Sequence, residues 1–189
     1  MRKFSFKPTL TLKGREFRGL RGFAGKPFHP PLTDIPIGAY TIAPALDVIS
    51  FIGKSKPWGH EFFQAATFVF IAGAFVSLFT ALTGFMDWLR STEKGTQARR
   101  TVNAHAWTMI TMTLLVLVDI AWRWFKHCFT TPLSLVILGL VIAGIMFLGA
   151  TLGGTLVFDY GFNVENSTDH PVWHVSEKDV FPGHKDDAS

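Results

Sequence analysis

The sequence predicts an all-α integral membrane protein: a four-helix transmembrane bundle with short loops and polar terminal tails. Four apolar stretches carry the prediction, because a helix needs about 20 mainly apolar residues to span the hydrocarbon core. They are residues 35–53, 62–86, 104–122 and 133–158. The second stretch contains no charged residue and only Gln64 as a strongly polar side chain. A helix of a soluble bundle would carry a polar face, so lipid is the better solvent for it.

Composition sets further bounds. Hydrophobic residues make up 48% of the 189, including 19 Phe and 6 Trp, which suffices for one four-helix domain. The single cysteine, Cys128, excludes an internal disulfide framework, a Cys-rich zinc site and a cysteine-ligated iron–sulfur cluster. We expect a basic N-terminal tail at 1–28, a membrane-spanning domain at 29–160 and a polar C-terminal tail at 161–189.

The basic residues indicate an orientation in the membrane. Eight Lys and Arg precede residue 36, and the second loop adds Arg90, Lys94, Arg99 and Arg100. Because basic flanks stay on the cytoplasmic side, we expect both termini in the cytoplasm. The net charge of +4 lies beside membrane spans, where it attracts anionic lipid headgroups. The predicted partner is therefore the lipid bilayer and not a nucleic acid.

The first span contains helix-breaking residues and an acid. Pro36 and Pro44 each remove a helical hydrogen bond and expose the carbonyls near Leu32 and Tyr40. Asp47 follows at roughly mid-membrane depth, where an unpaired carboxylate costs at least ~2.5 kcal/mol. We expect Asp47 to face the bundle interior or to be protonated. Its sequence context fits a functional site and a structural hydrogen bond between helices equally well.

The second span ends at Asp87, on the cytoplasmic membrane edge. A carboxylate at a helix C-terminus faces the negative end of the helix dipole, so we expect a cationic or donor partner. His105 and Arg100 are the candidates for that partner. A solvated span terminus, or a pair with Arg90, is the structural alternative.

One face of the third span is expected to turn inward. At 100° per residue it collects six side chains. They are His105, Met109, Met112, Val116, Asp119 and Arg123. The apolar middle is typical of helix packing, and the i,i+4 spacing of Asp119 and Arg123 predicts an ion pair near the outer interface.

The fourth span is rich in small residues. Gly149 and Gly153 form a Gly-x-x-x-Gly step, with Gly154 beside it. Such steps let helices approach closely. The pattern predicts tight packing and leaves open whether the contact is intramolecular or forms a homo-oligomer.

Several motifs resemble one bacterial membrane family, domain of unknown function 2231, over roughly residues 22 to 164. They are HPPLTDIPIG at 29–38, GFMDW at 84–88, the Arg-Arg pair leading to His105, GGTLV at 153–157 and Tyr-Gly at 160–161. The resemblance implies a bacterial cytoplasmic (inner) membrane location. Some relatives look like fusions to a Rieske-type domain, which implies quinone or haem electron transfer. This chain lacks cysteines for such a cluster, so a redox role would require a partner subunit or a haem.

The expected topology brings His29, Asp34, Asp87 and His105 to the cytoplasmic membrane boundary from three helices. Three hypotheses follow. In the first, the histidines tie helix ends together in a structural or accessory subunit. In the second, His29 and His105 ligate a b-type haem. In the third, His105 and Asp87 share a proton in a proton- or solute-handling protein, with Asp47 further inside.

No catalytic triad, phosphate-binding glycine loop or zinc signature occurs in the sequence. The sequence therefore gives no basis for assigning an enzymatic activity.

Overall fold

A computed structural model describes residues 27–91, 94–162 and 164. These residues form four helices and no strand: α1 (His29–Ile52), α2 (Pro57–Ser91), α3 (Gln97–Lys126) and α4 (Leu133–Phe158). All four are long and apolar enough to cross a membrane. The predicted all-α, four-helix membrane fold is confirmed. The predicted tails, 1–28 and 161–189, lie almost wholly outside the described residues.

Three of the helices are longer than the apolar stretches from which they were predicted. α4 begins and ends where the sequence predicts, whereas α3 starts at Gln97, seven residues before its apolar stretch. The side chain of Thr96 accepts a hydrogen bond from the backbone N–H of Arg99 and so caps α3. Because capping and backbone hydrogen bonds fix where a helix starts, hydropathy alone underestimates its length.

The helices form a ring in which each packs against two others. α1 packs closely against α2 and α4, and α3 packs closely against α2 and α4, so α1 and α3 lie diagonally opposite and their backbones do not approach each other closely. The core is apolar and comes from all four helices. Its large buried side chains are Tyr40, Phe70, Met112, Val116, Ile142 and Met146.

The outer surface of the ring is apolar as well. Its exposed side chains include Phe68, Phe75, Leu82, Leu114, Phe147 and Leu148. A soluble protein of this size rarely leaves so large a contiguous apolar surface uncovered. The bilayer is the medium that covers it.

In the two helical hairpins, α1–α2 and α3–α4, buried residues recur at the same intervals along each helix. Starting from Pro36 in α1 and from Met112 in α3, the residues four, seven and eleven positions further on are all buried. The same intervals from Ala66 in α2 and Leu135 in α4 also give buried residues. Since α1 and α3 run in the same direction, equivalent positions of the two hairpins face each other across the centre.

A proline shapes the contact between α1 and α2. Pro36 has no N–H to offer the carbonyl of Leu32, and the hydroxyl of Thr80 on α2, which lies 3.1 Å from the carbonyl of Val76 on its own helix, also lies 3.4 Å from that oxygen. Deeper in the same contact, Tyr40 Oη lies 2.9 Å from Ser77 Oγ. The two bonds fix α1 against α2 around the proline.

Candidate functional site

One end of the bundle, the histidine end, is built around His29 and His105. His29, the first residue of α1, has its Nδ1 3.0 Å from the carbonyl oxygen of Thr80 and 3.2 Å from Thr83 Oγ1, both on α2. The Nδ1 of His105 on α3 lies 2.8 Å from the carbonyl oxygen of Gly149 on α4. Because a carbonyl oxygen can only accept, Nδ1 carries the proton in both rings. The Nε2 atom of each neutral imidazole therefore keeps its lone pair.

Both Nε2 atoms are without a hydrogen-bond partner among the described residues. The two side chains are half-buried, yet neither Nε2 is among the fully enclosed, unpaired polar atoms. Each therefore borders open space. His29 also lies within electrostatic range of His105, so the two rings belong to the same end of the bundle.

Two glycines provide the room for the imidazoles. A Cβ at Gly84 on α2 would lie 2.7 Å from Cε1 of His29, and a Cβ at Gly153 on α4 would lie 3.2 Å from Cε1 of His105. Each glycine follows the carbonyl that binds the histidine by four residues, which is one helical turn. The two hairpins thus hold their histidines with the same arrangement.

The other predicted packing glycines differ in their roles. A Cβ at Gly149 would lie 2.3 Å from Sδ of Met109, so Gly149 permits the close approach of α3 to α4 within the chain. Gly154 meets only Phe158 of its own helix, at 3.9 Å. The Gly-x-x-x-Gly step formed by Gly149 and Gly153 therefore serves an intramolecular contact, and Gly154 takes no part in it.

The other residues predicted for this end differ in burial, and only one of them lies inside the bundle. Asp87 is buried, with 5% exposure, and lies within electrostatic range of His29. Asp34 is exposed. Arg100 is also exposed, and its Nε donates to Gln97 Oε1 at 2.8 Å. The histidine end thus brings together His29, His105 and Asp87, and leaves Asp34 and Arg100 outside.

The opposite end, the arginine end, is organised by Arg123. Its guanidinium donates to Asp119 one turn earlier on α3 and also to Asp47 on α1, across the bundle centre. A third bond, 3.2 Å long, runs to Thr67 Oγ1 on α2. The aromatic rings of Phe63 and Phe70 lie 5.2 and 5.0 Å from the guanidinium carbon, within cation–π range.

A second layer of hydrogen bonds holds Asp47. Thr131, between α3 and α4, donates its hydroxyl to Asp47 Oδ1 at 2.8 Å and its N–H to Ser50 Oγ at 3.0 Å. Ser50 in turn donates to the carbonyl of Gly59 at 2.7 Å. Asp47 follows His29 by 18 residues, about 27 Å along the helix. It therefore lies in the last turns of α1.

The sequence matches one known protein family. The family DUF2231, described as a predicted membrane protein, matches residues 25–166. The chain belongs to the DUF2231 family. No curated protein and no solved structure matches the chain. The family description agrees with the four apolar helices and assigns no activity to DUF2231.

In the part of this DUF2231 chain that the structure describes, no three His, Cys, Asp or Glu side chains gather as a metal site. The histidine end offers instead two imidazole Nε2 atoms that no described residue binds. Such a pair suits a metal-containing cofactor whose own atoms provide most of the ligands to the metal.

Sequence reasoning missed two groups of polar contacts. Thr80 at the histidine end and Thr67 at the arginine end each bind the backbone of their own helix and also a group on another helix. Thr131, between α3 and α4, binds Asp47 of α1. A sequence signal for the contact of Asp47 with Arg123 did exist. Arg123 follows His105 by 18 residues, the same interval as from His29 to Asp47.

Proposed function

We propose that the protein is an electron-transfer subunit of the membrane that binds one b-type haem between His29 and His105. The observation that carries the proposal is the state of the two rings. Each donates Nδ1–H to a backbone carbonyl and leaves Nε2 unpaired and open. A metal-ligating histidine almost always has its other ring nitrogen held in this way, which fixes the tautomer and the ring orientation.

The surroundings support the same ligand. Cofactor sites in helical bundles are built in the core from side chains on facing helices, and α1 and α3 face each other across the centre. A haem supplies four of its own ligands to iron and carries one electron, so two axial imidazoles complete its coordination. The protein contributes orientation, through the carbonyls of Thr80 and Gly149, and an apolar surrounding.

The orientation in the membrane extends the proposal. The connection between α2 and α3 carries Arg90, Lys94, Arg99 and Arg100, and it lies at the histidine end. Because basic residues next to membrane spans are enriched on the cytoplasmic side, we assign this end and both termini to the cytoplasmic side of the bacterial inner membrane. The haem would then exchange electrons with a quinol or a redox partner subunit near that face.

The test is the absorption spectrum of the detergent-purified protein, oxidised and dithionite-reduced, from a haem-replete host. We expect a Soret band with sharp α and β bands after reduction. His105→Asn is the decisive variant, because an Asn amide can still donate to the carbonyl of Gly149 but offers no Nε2. We expect this variant to fold and to lack bound haem.

His60→Ala is the matched control. His60 also directs Nδ1 at a backbone carbonyl, that of Phe129 at 2.6 Å, but it stacks on the Phe129 ring away from the bundle centre. We expect His60→Ala to retain the spectrum of the wild type. A featureless visible spectrum of the wild type, or full haem content in His105→Asn, would disprove the haem proposal.

A structural role for the histidines is the second candidate. The observation that favours it is that each histidine ties together the two helices of its own hairpin. In a structural or accessory subunit, His105→Asn should restore the membrane yield that His105→Ala loses, with no cofactor at any stage. The same set of variants therefore separates the two functions.

A further inference from the structure

The arginine end contains more negative than positive charge. Asp47, Asp119 and Arg123 have exposed fractions of 0%, 0% and 4%, so two carboxylates and one guanidinium share a buried volume. Their formal sum is one negative charge. An unbalanced buried charge is strongly unfavourable in a membrane interior, so a further positive charge must compensate it.

No neighbouring side chain of the described part supplies that charge. Both ion pairs of the two acids are with Arg123. α4 contributes no ionisable side chain between Leu133 and Phe158. Of the remaining ionisable groups near this end, His60 and Cys128 are half-buried, and His127, the residue that follows α3, is exposed. The others are exposed as well. They are Lys54, Lys56, Glu61 and Lys126.

The hydrogen bonds identify the carboxyl that is incomplete. Asp47 uses both oxygens, accepting from Arg123 at Oδ2 and from Thr131 at Oδ1. Asp119 accepts from Arg123 at Oδ1, whereas its Oδ2 is fully buried and has no partner. A charged oxygen without a donor is costly in such a place, while a neutral acid is tolerated far better.

We propose that Asp119 is a proton-binding site and holds one proton at Oδ2 in the resting protein. The O–H bond forms with a proton taken from water, and the arginine end becomes electrically neutral. The site lies at the opposite end of the bundle from the histidines, so the proposal does not depend on a haem. In this proposal, the carboxyl group of Asp119 is a buried acid that can bind and release a proton.

The test is infrared spectroscopy of the full chain, labelled with ¹³C-aspartate, at neutral pH. We expect a carbonyl stretch of a protonated aspartic acid that shifts with the label and disappears in Asp119→Asn. Asp119→Asn should keep the thermal stability of the wild type, because Asn replaces a neutral acid of the same shape. Asp87→Asn, which changes a buried acid at the histidine end, is the control and should retain the band.

Three results would overturn the proposal. They are a wild type without the band, a band that persists in Asp119→Asn, and an Asp119→Asn protein that no longer folds. A bound Na⁺ is the competing source of positive charge. It would show as a missing band together with a melting temperature that rises with Na⁺, but not with choline, at constant ionic strength.

Discussion

The two ends of the bundle use the same two helices in opposite ways. At the arginine end, Arg123 of α3 bonds directly to Asp47 of α1, and hydroxyl groups satisfy nearly every remaining polar atom. At the histidine end, His29 and His105 each bond only within their own hairpin. The difference separates a closed cluster, which joins the two hairpins, from an open pair, which forms no hydrogen bond between them.

The largest expected effect is at the closed cluster. Arg123→Leu would leave the buried Asp47 carboxylate without a counter-charge and the Asp119 carboxyl without its donor, and we expect it to lower stability by about 3–5 kcal/mol. The measurement is the melting temperature and folded yield in detergent. Lys126→Gln, which changes an exposed cation in the last turn of the same helix, should have an effect within about 0.5 kcal/mol. Equal stability of Arg123→Leu and wild type would contradict the joining role of the cluster.

A smaller effect is expected where a neutral group supports the cluster. Thr131→Val removes the hydroxyl that donates to Asp47 Oδ1 and keeps the shape of the side chain. A hydrogen bond to a charged group contributes about 1.5–3 kcal/mol, so denaturation should show a loss of that size. In Thr41→Val the lost bond runs to Ile37 of the same helix on an exposed face, and stability should hardly change. Similar losses in both variants would mean that Asp47 does not need Thr131.

The third prediction concerns the open end. Gly84→Ala places a Cβ against the His29 ring, and we expect a cost of about 1–3 kcal/mol together with reduced haem content. Gly153→Ala should do the same to a lesser degree, because the approach to His105 is 3.2 Å against 2.7 Å. Haem-to-protein ratios and melting temperatures measure both effects.

The control for these glycines is Gly144→Ala. Gly144 lies in α4, and a Cβ there would meet nothing within 4 Å. Alanine favours the helix over glycine by up to about 1 kcal/mol, so this variant should be as stable as the wild type or more so. Unchanged haem content in Gly84→Ala would show that the His29 ring does not bind iron.

The sequence predicts the four spans and the spacing of Asp119 and Arg123, because both follow from properties along a single helix. Contacts between helices are harder to predict. The bond from Arg123 to Asp47 depends on how far α1 and α3 are rotated about their axes, which neither helix determines alone. Thr131 lies in the connection between α3 and α4, so its position depends on where these two helices lie. Asp34 and Arg100 were grouped with the histidines by depth, yet their helices turn them to the exposed side.

Asp47 follows His29, and Arg123 follows His105, by the same number of residues, so the acid and the base occupy equivalent positions in the two hairpins. These positions affect which hairpins can associate in the membrane. Two copies of the first hairpin would set two Asp47 carboxylates against each other at the centre, whereas in two copies of the second each Arg123 would keep only Asp119 of its own helix. Like charges repel most strongly where water is excluded. Pairing of the first hairpin with the second gives Asp47 its counter-charge. The charge of Asp47 therefore favours association of the first half of the chain with the second half over association with another copy of itself.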